Sequence, residues 1–372
     1  MSEGRNLARA SRRVVVVFLC CVLPVGVLIT MFRVGLDANS LAVDFHHELY
    51  PQATALIAGD NPYPTGDFEP RVGGNLVWPP IAAVIVAPLT VLPLGTADVV
   101  IAVLGLVCFA LALRVIGVRD WRVYGVCCLW PPVAGEMRVS HLTPLLALLA
   151  AVAWRERERR TVPGASLGLA VGLKFFLWPL VLWLASIRRP RAAALAAVIA
   201  GASWLLVLPY TGLDEYLRAL LRLGSYFDQD SYTIFGLLVQ SGASDILARS
   251  ITSIVGCALL VGTWKYRSFT LAVASALTLS PIVWLDYYAL TALPLAIARP
   301  RLSIAWFAPI AMWGAAGTGL GIGTPEATAR VLVIAGVVLS VSFAAERSMS
   351  RDRSDRVPSD VRRPTGIPVH ER

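Results

Sequence analysis

Long apolar runs separated by short basic clusters extend over most of this chain. The first run, VVVVFLCCVLPVGVLITMF, follows the basic segment RASRR and has about 19 residues, which is enough to span a bilayer as a helix. It lacks a small-residue cleavage site, so we expect a retained first helix rather than a signal peptide that is removed. Taken together, the runs predict an all-α polytopic membrane protein with a bundle of about 12 transmembrane helices.

The composition supports this prediction. Apolar residues make up 56% of the chain and charged residues 15%, whereas soluble proteins have about 25% charged residues. The net charge of +9 comes largely from arginine clusters between the apolar runs and at the two ends, where a membrane protein faces the anionic cytoplasmic leaflet. We therefore expect membrane lipids, and no nucleic acid, as partners. The six cysteines lie in apolar runs without metal-ligand spacing, and we expect no disulfide framework and no metal.

The basic clusters also predict the orientation, because they mark the cytoplasmic side. Residues 1–13 are then a cytosolic N-terminus, residues 14–343 the membrane-embedded domain, and residues 344–372, which are charged and contain prolines, a disordered cytosolic tail. Each pair of neighbouring clusters must enclose an even number of crossings. This leaves the proline-rich run 78–94 outside as an in-plane helix, and it folds the run around Lys174 into two short helices.

With this orientation, ionisable groups gather on the outer side of the plasma membrane. They are Asp44, Glu136, Arg138, His141, Lys174, Asp228, Asp230, Asp286 and Tyr287. Ionisable groups near membrane depth are costly and commonly mark function. The cytoplasmic turns are short and basic, so we expect any active site to face outside, with an outer first loop that contains in-plane helices.

Asp44 lies just after the first helix and begins an amphipathic stretch that ends in the turn GDNPYP. A carboxylate at this position can act as a general base that takes a proton from a hydroxyl group. It can equally cap a helix or pair with Arg33, and both interpretations remain open. The neighbouring His46 and His47 point to different faces of a helix, which favours a structural role over metal binding.

Lys174 interrupts an otherwise apolar run, where a lysine in an uninterrupted span would cost roughly 3 kcal/mol. This cost favours a turn at Lys174 whose ammonium group holds a phosphate, although a lysine near a helix end can also snorkel to the surface. Arg138 and His141 lie at the apex of the preceding hairpin and can complete a cationic pocket. Arg138 can instead pair with Glu136 or with a lipid headgroup.

Mixtures of aromatic and polar side chains in the outer segments suit sugar binding, because rings stack on sugars while polar groups bond to hydroxyls. An aromatic belt at the membrane interface is the commoner explanation for any single ring. The residues that we assign to sugar or acceptor binding are Asp286, Tyr287, Tyr63, Asp228 and Gln229.

Several motifs together resemble one known family. They are the aspartate after the first helix, the segments GDNPY and WPP, the lysine hairpin GLAVGLKFFLWPLVLWLASIRRPR, and the segments SPIVWLDYY and DQDSYTIFGLL. The pattern is similar to glycosyltransferase family 87, the DUF2029-type integral membrane mannosyltransferases with the GT-C fold, over most of residues 14–343. This chain has Asp286 and Tyr287 where members often show paired histidines, and Val139, Ser140 and His141 where a Gly-Gln-Asn type of turn is usual.

The resemblance implies transfer of mannose from polyprenyl-phosphate mannose to a lipid-linked or polysaccharide acceptor of the cell envelope, with inversion at the sugar. We expect no cofactor, because the cationic side chains can stabilise the leaving phosphate. The resemblance also implies that Asp44 is the general base and that Lys174 lies near the donor phosphate. Two alternatives stay open, namely a GT-C enzyme that uses another polyprenyl-phosphate sugar such as arabinose, and a non-catalytic flippase or carrier of lipid phosphates. A carrier should contain inverted repeats, and none is apparent in the sequence.

Overall fold

The computed structural model describes residues 11, 14–38, 40–63, 78–314 and 323–355, and within these residues every regular element is a helix. The helices of the first half are α1 (Val14–Asp37), α2 (Tyr50–Ala58), α3 (Pro80–Val86), α4 (Leu94–Ile116), α5 (Trp121–Cys128), α6 (Pro131–Ala134), α7 (Glu136–Val139), α8 (Thr143–Arg155) and α9 (Val162–Leu173). The second half contains α10 (Pro179–Ser186), α11 (Pro190–Leu205), α12 (Leu213–Phe227), α13 (Ile234–Gln240), α14 (Asp245–Tyr266), α15 (Phe269–Leu279), α16 (Ala292–Ala298) and α17 (Pro325–Asp355).

The predicted class of all-α polytopic membrane protein is confirmed. Among the described residues, four helices are long and apolar enough to cross a membrane: α1, α4, α14 and the Pro325–Met349 part of α17. The other apolar helices have 10–17 residues, which is shorter than the about 20 that a straight span needs. Breaks at prolines and polar residues divide the apolar sequence in this way. The total of about 12 spans stays a prediction.

The first loop turns back into the protein. The backbone N–H of Ala42 donates a hydrogen bond of 3.1 Å to the carbonyl of Met137, and a π-helical turn, Phe45–Leu49, leads into α2. Phe45, Leu49 and Ala53 are fully buried. The loop therefore carries Asp44 into the core between α1 and the hairpin of α7 and α8.

Two further segments bear on the predictions. The run 78–94 contains one short apolar helix, Pro80–Val91, and its predicted position in the interface stays a prediction. The last helix α17 continues to Asp355, within the predicted tail 344–372, and residues 356–372 lie outside the described residues.

The predicted break at Lys174 is present. Helix α9 ends at Leu173, Lys174 has an extended backbone, and a 3₁₀ turn, Phe175–Leu177, leads into α10. Each half of this hairpin is too short to be a span of its own. The polar lysine thus lies half-buried at a chain reversal.

Three glycines on one face of α9 allow α11 to approach closely. A Cβ atom on Gly164 would lie 2.4 Å from the carbonyl oxygen of Ala192, and one on Gly168 would lie 2.7 Å from Cβ of Ile199. Gly172 faces Ser203 in the same way. The spacing of four residues is the small-residue pattern of helix pairs in membranes. This packing holds α9 in place immediately before Lys174.

We predict that Gly164→Ala lowers the thermal stability of the purified protein in detergent. The new Cβ meets backbone atoms that cannot rotate away, and overpacking of this kind typically costs about 1–3 kcal/mol. The matched control is Gly201→Ala on α11, where the added Cβ meets no atom within 4 Å. Equal melting temperatures for the two variants would contradict the close packing of α9 on α11.

Candidate functional site

His141 lies between two carboxylates in the core. Its Nε2 contacts Oδ2 of Asp44, and its Nδ1 lies 3.1 Å from Oδ1 of Asp286. The hydroxyl of Thr143 donates a hydrogen bond of 2.7 Å to Oδ2 of Asp286. All four residues are buried. The imidazole therefore bridges the two carboxylates, with one ring nitrogen facing each of them.

An unusual backbone turns His141 toward the two acids. The residues on either side of it, Ser140 and Leu142, have φ angles of 54° and 60°. Residues other than glycine adopt this left-handed region rarely, and such strain is commonly found at functional sites. Asp286 comes from a 3₁₀ helix, Leu285–Thr291, and Asp44 from the loop after α1. Three segments that are far apart in the sequence therefore meet at one imidazole.

Lys174 lies beside this group at the turn between α9 and α10. Its Nζ donates a hydrogen bond of 2.5 Å to the hydroxyl of Tyr287. The ammonium also lies 4.3 Å from the ring centroid of Trp78 and 4.2 Å from that of Tyr287. The Tyr287 ring stacks on Phe176 with the centroids 5.1 Å apart. A half-buried cation is thus held by aromatic faces within electrostatic reach of Asp44.

The environment makes Asp44 a stronger base than an exposed aspartate. Burial raises the pKa of Asp44 above its ordinary value, and the charges of His141 and Lys174 oppose this rise. A carboxylate with a raised pKa accepts a proton more readily, as general base catalysis requires. Among the described residues, no group of three or more acidic, histidine or cysteine side chains has the arrangement of a metal site.

Several members of the cluster were not assigned a role from the sequence. Glu48 is buried, and its Oε2 accepts a hydrogen bond of 2.8 Å from Nε1 of Trp78. Burial, together with the charge of Asp44, raises the pKa of Glu48 well above its ordinary value. Glu136 is buried as well, and Thr143 donates its hydrogen bond to Asp286. The spacing of Asp44 and Glu48, four residues apart on one helical turn, is the one signal that would have indicated part of this set.

The structure places the remaining predicted site residues elsewhere. Arg138 is exposed, and Gln229 is exposed with its carbonyl bonded to Gln240. Tyr63 packs against Tyr216, with the ring centroids 5.1 Å apart, in a separate small apolar cluster. The structure therefore joins Asp44, His141, Lys174, Asp286 and Tyr287, while the roles given to Arg138, Tyr63 and Gln229 stay predictions.

Asp228 belongs to a different segment, whose later residue Tyr232 contacts the site. Asp228 is buried and forms an ion pair of 2.8 Å with Arg249 of α14. The same segment reaches the site, because the backbone of Tyr232 accepts a hydrogen bond of 2.6 Å from the hydroxyl of Tyr288, two residues after Asp286. Asp228 is thus engaged by Arg249, and its predicted role in sugar binding stays a prediction.

The apolar helices define an integral membrane protein, and the acid, imidazole and ammonium groups of Asp44, Asp286, His141 and Lys174 form its candidate site. The family model of glycosyltransferase family 87 matches residues 76–294, more than half of the chain. The protein therefore belongs to glycosyltransferase family 87 and is a glycosyltransferase. No curated protein and no solved structure gives a significant match. His141, Lys174 and Asp286 lie inside the matched segment, and the fold brings Asp44 to them from outside it.

We predict that Arg249→Gln lowers the free energy of unfolding by about 1–3 kcal/mol, because it leaves the buried carboxylate of Asp228 without its charged partner. The control is Arg218→Gln on α12, which breaks an ion pair whose two side chains are 73% and 79% exposed. Such an exposed pair contributes about 0–1 kcal/mol.

Thermal unfolding of both variants in the same detergent measures the difference. Adding Asp228→Asn to Arg249→Gln should restore part of the loss, because the buried charge is removed. Equal effects of the two arginine substitutions would show that the pair between Arg249 and Asp228 does not hold this segment.

Proposed function

We propose that this glycosyltransferase transfers mannose from polyprenyl-phosphate mannose to a glycolipid or glycan acceptor of the cell envelope, with inversion at the anomeric carbon. The reaction takes place on the outer face of the plasma membrane. The observation that supports this proposal best is the chain of contacts from Asp44 through His141 to Asp286 beside the ammonium of Lys174.

In the proposed reaction, a hydroxyl of the acceptor attacks the anomeric carbon from the side opposite the phosphate. The new carbon–oxygen bond forms while the bond from that carbon to the phosphate oxygen breaks. Asp44 takes the hydroxyl proton, and the bonding electrons leave with the phosphate. A single displacement inverts the configuration, as in inverting glycosidases.

The leaving group gains charge, because a phosphodiester becomes a phosphomonoester. A cation placed beside the leaving oxygen stabilises this charge as it develops. Lys174 fits this role, since its ammonium is half-buried and fixed by Tyr287 and Trp78. Arg138, exposed three residues before His141, is a second candidate to contact the donor phosphate.

His141 holds the base in position. Its Nε2 contacts Oδ2 of Asp44. The other carboxylate oxygen, Oδ1, is then left to receive the proton of the acceptor hydroxyl. Asp286 and Thr143 fix the imidazole from the other side. This division of roles is that of a base oriented by a second residue that is itself oriented by a third. Contacts from Tyr287, Tyr63, Asp228 and Gln229 to the sugar or acceptor remain part of the proposal.

We predict that Asp44→Asn lowers kcat by about 10²–10⁴-fold, since an amide cannot accept the proton, while binding of the lipid donor is retained. Transfer from labelled polyprenyl-phosphate mannose to membrane lipids and glycans measures the rate. The control is Asp214→Asn at an exposed position of α12. Full activity of Asp44→Asn would remove Asp44 as the base, and transfer from polyprenyl-phosphate arabinose but not mannose would correct the sugar.

We predict that His141→Asn moves the acid limb of the kcat/KM profile to higher pH. Asp44 must be ionised to act, so activity falls as the pH decreases through its pKa. Burial raises this pKa and the charge of His141 opposes the rise, so removing that charge raises the pKa of Asp44 further. A pH–rate profile of both proteins measures the shift, and an acid limb at an unchanged pH would contradict the coupling.

A further inference from the structure

Trp78 is a buried indole that lies directly beside the ammonium of Lys174. The Nζ of Lys174 is 4.3 Å from the centroid of the Trp78 ring, which is the geometry of a cation held over an aromatic face. The centroid of the same ring lies 6.1 Å from that of His141. Trp78 is 5% exposed. It therefore borders both the cation and the imidazole of the site.

Two side chains of the first loop hold Trp78 in place. Its Nε1–H donates a hydrogen bond of 2.8 Å to Oε2 of Glu48, and its backbone carbonyl accepts one of 3.3 Å from Nε2 of Gln52. Glu48 and Gln52 are four residues apart, and each is 5% exposed. Because water does not reach these buried bonds, no solvent molecule replaces a partner that is lost.

The bond to Glu48 determines the direction in which the indole faces. The N–H of an indole lies in the plane of the ring and is its only polar group. A bond at this edge therefore restricts rotation of the ring and keeps its face directed at Lys174. Tyr287 also holds the ammonium, since its hydroxyl accepts a hydrogen bond from Nζ and its ring centroid lies 4.2 Å away. Without a fixed Trp78, the cation would keep Tyr287 but lose a second aromatic face.

Glu48 has no part in the proposed reaction as base or as phosphate ligand. Its other carboxyl oxygen, Oε1, is buried and has no hydrogen-bond partner within the described part of the chain. Burying a carboxyl group is unfavourable, and an apolar side chain at this position would avoid the cost. The presence of an acid here therefore points to its bond with Trp78 as the reason.

We infer that Glu48 is a positioning residue, which orients the Trp78 ring so that this ring holds the ammonium of Lys174 beside the leaving phosphate. The inference rests on the proposed function, because the place of the ammonium matters through the phosphate charge that it stabilises. Glu48 touches no substrate in this arrangement. Functional side chains need such supporting hydrogen bonds, since a small displacement is enough to weaken their action.

The first test compares Glu48→Leu with its matched control Glu48→Gln. Glutamine keeps an oxygen that accepts the indole hydrogen bond, so kcat should stay within about threefold of the wild type. Leucine accepts none, so kcat should fall about 10-fold to 100-fold as the cation is displaced. The KM for polyprenyl-phosphate mannose should change little, because the charge to be stabilised develops in the transition state. Equal kcat values for the two variants would overturn the inference.

A second variant separates this route from an effect on Asp44, which lies four residues before Glu48. Trp78→Phe keeps an aromatic face and lacks the N–H. If Glu48 acts through the indole, adding Glu48→Leu to Trp78→Phe should lower kcat by less than about twofold more. A further loss as large as that in the wild-type background would mean that Glu48 acts elsewhere, and the inference would fail. Thermal unfolding of each variant separates these outcomes from a loss of folding.

A spectroscopic measurement tests the inference without sugar transfer. The chain contains two lysines, Lys174 and Lys265, so ¹³C-lysine labelling gives a simple NMR spectrum, which Lys265→Arg assigns. Ring currents of Trp78 and Tyr287 should shift the methylene protons next to Nζ of Lys174 upfield from those of the exposed Lys265.

Glu48→Leu and Trp78→Phe should both move the Lys174 signal toward that of Lys265, whereas Glu48→Gln should leave it in place. A signal that stays in place in the folded Glu48→Leu or Trp78→Phe variant overturns the inference. If the signal moves as expected while the wild type transfers no sugar from polyprenyl-phosphate mannose, the proposed function fails and the positioning of Lys174 by Glu48 stands.

Discussion

The site depends on keeping opposite charges together away from water. A lone ionised group in an apolar core is disfavoured by several kcal/mol or more, so buried charges are found in pairs that are also hydrogen-bonded. His141 meets this requirement for two acids at once, since it contacts Asp44 with one nitrogen and Asp286 with the other. Removing the imidazole would leave two anions close together, so the positions of both acids depend on it.

The fold meets this constraint through short helices rather than through long spans. Helices α7, α8, α9 and α10 end or begin next to His141 and Lys174, where backbone breaks bring polar side chains inward. Non-helical backbone at membrane depth is tolerated only where protein or water surrounds it. The long helices α1 and α4 and the glycine contacts of α9 supply that surrounding protein.

The sequence points to those candidate residues whose charge is energetically unfavourable within or next to an apolar segment. A lysine inside an apolar run signals a break, and an aspartate after a first span signals an exposed or paired charge, so Lys174 and Asp44 were both named as candidates. The contact of His141 with Asp286 was not predicted, because it depends on the left-handed backbone at Ser140 and Leu142. Helical periodicity carries no signal for such a turn.

Glu136 was not assigned to the site for a different reason, because its burial depends on how the segments pack and has no signature in the sequence. Asp228 was assigned to sugar binding because its neighbours are polar and aromatic. Its partner Arg249 lies 21 residues later in α14, and the ion pair between them is visible only in the folded structure.

In the proposed reaction, negative charge leaves Asp44 as it takes the proton and appears on the phosphate beside Lys174. The total charge of the buried site then stays constant, so the surrounding protein has no net charge to accommodate as sugar is transferred.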